Sequence, residues 1–361
     1  MTMVKHRQPL ISYAELMLPL PAPKLLWLAP SAETWRARYC SGSYAAKPPS
    51  LKQLLQDESA ILCLPECVDA QIARSAYLHG LAAQIWEHTQ QSVLLHDSSE
   101  PSSQLWSRLR QQKLSVYIPM LEFCRKCSCT QSRYHYLQRV DFSLEKAPAI
   151  ACLLHQFLQM YLYVNLDTIT RFAGKCGEEE AHRAYTHLQS WSQTKEARTA
   201  VCHAGQALRA ARAIPPHQNR GTDSFIVFHT IMVLWTYSMM MRDRAKRTGT
   251  TTPTRAHAAP LESSPVIFLD DVMSSNQTTV DAFIILNKGT PCLHIISAHS
   301  NVVAEPADHH HEICNLRYPS QVMKTGVKLL DASHPDDDRE TGPPLLKALC
   351  GLMEELGGLR Q

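Results

Sequence analysis

The stretch FIVFHTIMVLWTYSMMM, residues 225–241, decides the fold class of this chain, and the basic run RDRAKR follows it at 242–247. A membrane span needs about 20 apolar residues, whereas this stretch is shorter and contains His229 and Ser238. A helix that is apolar on nearly every side also suits the centre of a large helical protein. We therefore expect a central helix over 222–241 rather than a membrane span. The side chains expected to be largely buried are Phe225, Ile231, Met232 and Trp235.

Apolar residues recur at helical spacing in most other parts of the chain. The segments with this spacing are 70–95, 148–162, 178–191, 197–211, 276–289 and 343–358. Asn276 is placed to cap one of these helices, and Gly289 is placed to end it. In the last segment, the residues expected to form the inner face are Leu345, Leu349, Leu352 and Leu356.

These patterns predict an all-α fold, a large domain of many helices with short connections. Strand signals are thin, because SPVIFLDD and CLHIISAH could be either short strands or buried apolar runs in loops. A run rich in Thr, Ser, Pro and basic residues at 244–264 is typical of a linker. It would divide the chain into a helical body, 1–243, and a C-terminal helical section of the same domain, 265–361.

The segment ARTAVCHAGQALRAARAIPP, residues 197–216, raises a choice between a reactive site, a metal site and a packing surface. Neighbours on a helix point roughly 100° apart, so Cys202 and His203 do not face each other as a nucleophile and its base. Small residues dominate one face, where Ala204 and Gly205 let another helix approach closely. We therefore predict a packing surface.

The sharpest metal-site candidate is the run CRKCSC, which contains Cys124, Cys127 and Cys129. A C-x-x-C spacing lets two thiolates bind one zinc ion. The residues that could complete the set are Cys63 and Cys67, or His135. Because the second cysteine pair lacks a recognised spacing, we expect no zinc, and no other cofactor, in this chain.

Composition and motifs argue against several classes of function. The formal net charge of +3 is too small to predict a nucleic-acid or membrane partner by itself. The twelve cysteines are scattered, and prolines interrupt the apolar runs near the N-terminus, so we expect reduced thiols in an intracellular protein. The sequence has no G-x-S-x-G, P-loop, G-x-G-x-x-G or H-E-x-x-H motif, and we predict that it is not an enzyme. The run 242–247 fits either a nuclear-import signal or a charged turn.

Several long segments resemble, in the same order, the regulatory region, or middle homology domain, of fungal zinc-finger transcription factors. They are ISYAELMLPLPAPKLLWLAPSAETWR (11–36), LDTITRFAGKCGEEEAHRAY (166–185), WSQTKEARTAVCHAGQALRAARAIPP (191–216), FIVFHTIMVLWTYSMM (225–240), VIFLDD (266–271), FIILNKGTPCL (283–293) and PPLLKALCGLMEELG (343–357). The resemblance covers most of the chain and is weakest over 100–140. It implies a helical regulatory domain in which 197–216 belongs to the packing core.

The same resemblance implies a regulator of RNA polymerase II transcription in the nucleus, with the transcription machinery or co-regulators as partners and no membrane. DNA and zinc are implied only through the family's finger module. Neither a two-Cys two-His finger nor a six-cysteine cluster occurs in this sequence, so we expect a truncated or finger-less form and leave a homodimer open. The alternative is a helical module that binds an effector or a partner without contacting DNA.

Overall fold

The computed structural model describes residues 16–57 without 43 and 45, 64–94, 149–216, 218, 221–248, 265–295, 313–333 and 343–359, and the single positions 111, 115, 117 and 118. Contacts between Cα atoms divide the chain into two compact units, Met1–Ala151 and Cys152–Gln361. This boundary differs from the predicted linker at 244–264. The segments that flank that linker belong to the same unit.

The first unit contains the described helices α1 (Lys24–Trp27), α2 (Ala32–Ser41), α3 (Leu51–Gln56) and α4 (Ala70–Leu94). A capping box begins α3, in which the Ser50 hydroxyl accepts from the Gln53 backbone N–H and Gln53 Oε1 accepts from the Ser50 backbone N–H. Helix α4 confirms the predicted helix within 70–95, and it contacts α3. The side chains that are completely excluded from solvent in this unit include Leu54, Tyr77, Leu81 and Ile85.

The second unit begins with four consecutive helices, α5 (Ala149–Tyr163), α6 (Leu166–Phe172), α7 (Glu178–Trp191) and α8 (Lys195–Arg212). Gly174 and Gly177 follow α6 with φ angles of +96° and +89°, which residues with a side chain rarely adopt. The Thr194 hydroxyl accepts from the Ala197 backbone N–H and so caps the start of α8. Prolines at 215 and 216 follow the end of α8 and prevent its continuation.

The central helix of the second unit is α9 (Gly221–Arg247). It contacts α6, α7 and α8, and also two helices from the end of the chain, Pro319–Asp331 and Pro344–Leu356. Ile231 and Met232 are fully buried and Trp235 is 5% exposed, so the prediction of a buried central helix is confirmed. Phe225, near the start of the helix, is only half-buried.

By length and composition alone, α9 could cross a membrane. Within the protein, however, 83% of its most apolar 18-residue window is buried. Packing against five other helices supplies the apolar environment that this helix requires.

The described part of the chain is mostly helical, in agreement with the predicted fold class, and it adds one small mixed sheet. Strand β1 (Val266–Phe268), helix α10 (Met273–Leu286) and strand β2 (Thr290–His294) form a β-α-β unit with parallel strands. Strand β3 (Ile313–Asn315) pairs with β2 in the antiparallel direction. The runs SPVIFLDD and CLHIISAH, for which the sequence left strand and loop as alternatives, therefore each contain a strand.

The remaining helices are α11 (Pro319–Asp331) and α12 (Pro344–Leu356), which pack against each other and against α9. The inner face of α12 differs from the predicted one. Its buried residues are Leu346, Leu349, Cys350 and Met353, whereas Leu352 is 42% exposed. Of the four leucines predicted to face inwards, only Leu349 is buried, because the contact surface on α9 and α11 selects a face rotated from the leucine stripe.

Two predicted helix ends are also corrected. Helix α9 continues to Arg247, so the run 242–247 is helical, whereas 249–264 lies outside the described residues. Helix α10 begins at Met273, which places Asn276 inside the helix rather than at its N-cap. Its C-cap is Asn287, which adopts a left-handed φ of +54°.

Candidate functional site

Helix α8 and the residue that follows β1 approach each other closely at Gly205. A Cβ atom at this position would lie 2.5 Å from both the Cβ atom and the carbonyl oxygen of Leu269, so the contact requires glycine. The neighbouring Ala204 is fully buried. The sequence predicted another helix as the partner, whereas the nearest atoms belong to Leu269 after a strand. Ala207, whose polar neighbours predict a solvent-facing side chain, is also fully buried, because burial extends around most of α8.

A polar network joins the C-terminal end of α8 to the carboxyl ends of the two parallel strands. The Asp270 side chain, just after β1, has no exposed surface and forms an ion pair with Arg212 at the end of α8. Its carboxylate accepts the backbone N–H of His294 at 3.0 Å and lies 3.0 Å from Nδ1 of the same residue. Arg212 also donates to the carbonyl oxygen of His294 at 2.8 Å. The end of α8, the turn after β1 and the end of β2 are thereby held together.

Gln206 fixes the same turn from the side of α8. Its Nε2 amide donates to the carbonyl oxygens of Leu269 and Asp271, both at 2.7 Å. The backbone on either side of Asp270 is therefore held by one side chain of the helix. A buried carboxylate is stable only when it has a charge partner and hydrogen bonds, and Asp270 has both.

The Asp270–His294 pair resembles part of an acid–base site, and ligands of open α/β sheets bind at the carboxyl ends of parallel strands. In this protein the His294 ring stacks on Phe268, with ring centroids 4.1 Å apart, and its Nε2 lies 3.8 Å from a carboxylate oxygen of Asp271. Both ring nitrogens thus face carboxylates of the protein. We interpret the network as a structural anchor, because Arg212 and His294 already pair with the carboxylate of Asp270.

The adjacent residues Cys202 and His203 lie in different environments, as the helical geometry predicts. Cys202 is 4% exposed, and burial raises the pKa of its thiol to about 12, so the nucleophilic thiolate is not formed near neutral pH. The Nδ1 atom of His203 lies 3.0 Å from Gln156 Oε1, and its ring stacks on Tyr163 with centroids 6.1 Å apart. These contacts are packing contacts between α8 and α5.

Most of the residues proposed as zinc ligands lie outside the described residues, namely Cys63, Cys124, Cys127, Cys129 and His135. Cys67 is described and is buried. Over the described ranges, no group of three or more His, Cys, Asp or Glu side chains is arranged to hold a metal ion. The expectation of a chain without zinc stays a prediction.

A cavity of about 150 Å³ opens between α6, α7 and the C-terminal part of α9. Phe172 forms its aromatic side, because its ring stacks on Tyr185 at a centroid distance of 6.2 Å and lies 5.4 Å from the ring of Trp235. The residues that line the cavity are Phe172, Tyr185, Met239, Met240, Arg242, Asp243 and Lys246. No sequence motif marks this cavity, since its lining comes from three separate helices.

Asp243 is the acidic residue among those that line this cavity, and its carboxylate is already held by its neighbours. It accepts from the Tyr185 hydroxyl at 2.7 Å and from Gln189 Nε2 at 3.5 Å, and it pairs with Arg247. The hydrogen bond from Tyr185, assisted by the charge of Arg247, lowers the pKa of Asp243. Asp243 therefore stays ionised and engaged at neutral pH.

Comparison of the chain with protein-family models, with curated proteins and with solved structures gives no match. The functional argument therefore depends on the residues themselves. The contact between α8 and the sheet is interpreted as a structural anchor, and the cavity beside α9 is the candidate ligand site.

Proposed function

We propose that this chain is the regulatory domain of a fungal transcription regulator, a truncated or finger-less form of a zinc-finger transcription factor that controls RNA polymerase II transcription in the nucleus. One observation carries the proposal. Six of the seven segments that resemble that family belong to one compact unit, Cys152–Gln361.

Contacts within this unit join segments that are far apart in the sequence. The segment 191–216 contains Gly205 and Arg212, which contact Leu269 and Asp270 of the segment 266–271. The segment 225–240 lies in α9, which packs against α12 of the segment 343–357. Segments that together resemble one regulatory domain are expected to build one core, and their contacts support the resemblance.

The proposed role is binding rather than catalysis. The buried Asp270 carboxylate is engaged by Arg212 and His294, as expected of a structural anchor. In the first unit, several large apolar side chains are exposed, among them Leu18, Trp27 and Leu28 at 77%, 70% and 65%. These exposed side chains lie within one short segment, 18–28, and contiguous exposed apolar patches mark partner-binding surfaces. We propose the transcription machinery or a co-regulator as the partner, and DNA contact only through a separate finger module.

A reporter experiment tests this function. The full chain is fused to a heterologous DNA-binding domain in a fungal host, and transcription from a polymerase II reporter is compared with that of the DNA-binding domain alone. We expect a several-fold change in reporter transcription. We also expect Leu28→Ser to reduce the change, whereas Leu352→Ser, which alters an exposed leucine of the second unit, leaves it intact.

A reporter that does not respond to the fused chain, at an expression level equal to that of the control, would contradict the proposal. A second fusion, in which a fluorescent protein replaces the DNA-binding domain, tests the proposed nuclear location by microscopy. The run 242–247 supplies the basic side chains for an import signal. Uniform exclusion of the chain from nuclei would count against nuclear regulation.

A further inference from the structure

The cavity beside α9 has the size, the lining and the charge of a site for a small organic anion. We propose that it binds an aromatic carboxylate, with the ring between Phe172 and Met239 and the carboxylate at Arg242 and Lys246. This binding is a property of the isolated chain and does not depend on the proposed role in transcription.

The size of the cavity matches a ligand with a single ring. A protein cavity of roughly 150 Å³ is large enough to hold one benzene molecule, and this cavity has about the same volume. A ligand with two fused rings would have to displace protein atoms or extend into solvent.

The lining favours an aromatic ring over an alkyl chain. Phe172 stacks on Tyr185 and lies beside Trp235, so a ligand ring would add to an existing aromatic cluster in the offset or edge-on arrangement that aromatic pairs prefer. Met239 and Met240 line the same cavity, and methionine sulfur atoms make favourable contacts with aromatic rings. Flexible methionine side chains also adjust to ring substituents.

The charges at the cavity select an anion. The carboxylate of Asp243 is engaged by Tyr185 and Arg247, so it does not provide a site for a ligand cation. Arg242 and Lys246 are exposed, and within the described part of the chain neither forms an ion pair with a carboxylate. They lie four positions apart on α9 and therefore on the same side of the helix, and both line the cavity, which places two cations beside the carboxylate of the proposed ligand.

The test uses the full chain and benzoate as the probe. The chain is labelled with ¹³C in the methionine methyl groups, and the signals of Met239 and Met240 are assigned from single Met→Leu variants. We expect saturable shifts of these two methyl signals on titration with benzoate, with a Kd on the order of 1 mM or below for so small a ligand. Benzamide, which keeps the ring and loses the charge, and acetate, which keeps the charge and loses the ring, should each bind more weakly.

Charge-removing variants separate this site from non-specific anion binding. We expect Arg242→Gln and Lys246→Gln each to weaken benzoate binding about two- to fivefold, the range for an exposed ion pair. Lys324→Gln, the same change at an exposed lysine on α11, should leave binding unchanged. Far-ultraviolet circular dichroism checks that all three variants are folded.

Three results would overturn the proposal. The first is the absence of saturable shifts of the Met239 and Met240 methyl signals at a benzoate concentration 10-fold above the expected Kd. The second is equal binding of benzoate and benzamide. The third is an equal effect of Lys246→Gln and Lys324→Gln. A negative result in the reporter experiment leaves this binding unaffected, so failure of the site and failure of the proposed function are distinguishable.

Discussion

Replacement of Gly205 tests the contact between α8 and the turn after β1. In Gly205→Ala, the new methyl group would lie 2.5 Å from Leu269 Cβ and 2.5 Å from the Leu269 carbonyl oxygen. Ordinary contacts of a carbon atom are about 3.5–4.0 Å. The backbone at Leu269 therefore has to move by about 1 Å, because the obstructing atoms include main-chain atoms that no side-chain rotation removes.

The magnitude follows from opposing effects. Overpacking of a core costs about 1–3 kcal/mol, and weakening of the Gln206 hydrogen bond to the carbonyl oxygen of Leu269 costs about 1 kcal/mol more. Alanine is the better helix former by about 1 kcal/mol, which offsets part of the loss. We expect a net loss of about 1–3 kcal/mol in the free energy of unfolding for Gly205→Ala, and a larger loss for Gly205→Leu.

The assay is urea denaturation followed by circular dichroism at 222 nm, together with a thermal melt. For a unit of this size, 1 kcal/mol corresponds to about 2–4 °C in Tm. Gly221→Ala is the matched control, because its new methyl group meets only the flexible tip of Leu345, at 3.1 Å, and should be nearly neutral. If Gly205→Ala is as stable as the parent or more stable, the argument from close backbone contact is refuted.

Three further predictions concern buried or paired groups. Asp270→Ala should lower the free energy of unfolding by about 3 kcal/mol, because it leaves a partly buried cation without its partner, and unchanged urea denaturation would contradict the anchor. Iodoacetamide at pH 8 should modify the exposed Cys176 in the folded chain and leave Cys202 unmodified until urea is added, as peptide mass spectrometry would show. Folding lowers the pKa of Asp243. Its contribution to the free energy of unfolding is therefore fully present above the unfolded pKa near 3.8, and it is lost as the pH falls through the lower pKa of the folded state. Asp243→Asn should therefore cost about 0.5 kcal/mol at pH 7, and the difference from the parent should shrink at acid pH in urea titrations.

The helices could be predicted because their information is local. The alanine-rich face of 197–211 repeats at helical spacing over several turns, and the continuous apolar run 225–241 is too long for a single strand. The strands could not be assigned with the same method. Each has only three to five residues, and such a short apolar run does not distinguish a strand from a buried loop. Their pairing depends on contacts between residues far apart in the sequence.

The site residues show the same division between local and distant information. Gly205 was recognisable from the small residues around it, but its partner Leu269 was not. Leu269 lies far away in the sequence, 63 positions after Gln206, which is the neighbour of Gly205. Asp270 follows the apolar run VIFL, and His294 lies within the run CLHIISAH. Only the parallel pairing of those two runs brings their side chains together.

The close contact at Gly205 and the network around Asp270 have one structural cause. Without a Cβ atom at Gly205, the backbone of Leu269 lies against α8, which brings two carbonyl oxygens within reach of the Gln206 amide. Arg212 is seven residues, or two helical turns, after Gly205, so it leaves the same side of the helix about 10 Å further along. That distance places its guanidinium at the carboxyl ends of the strands, where it pairs with Asp270. A larger residue at Gly205 would therefore displace the whole turn and disturb the buried ion pair as well as the local packing.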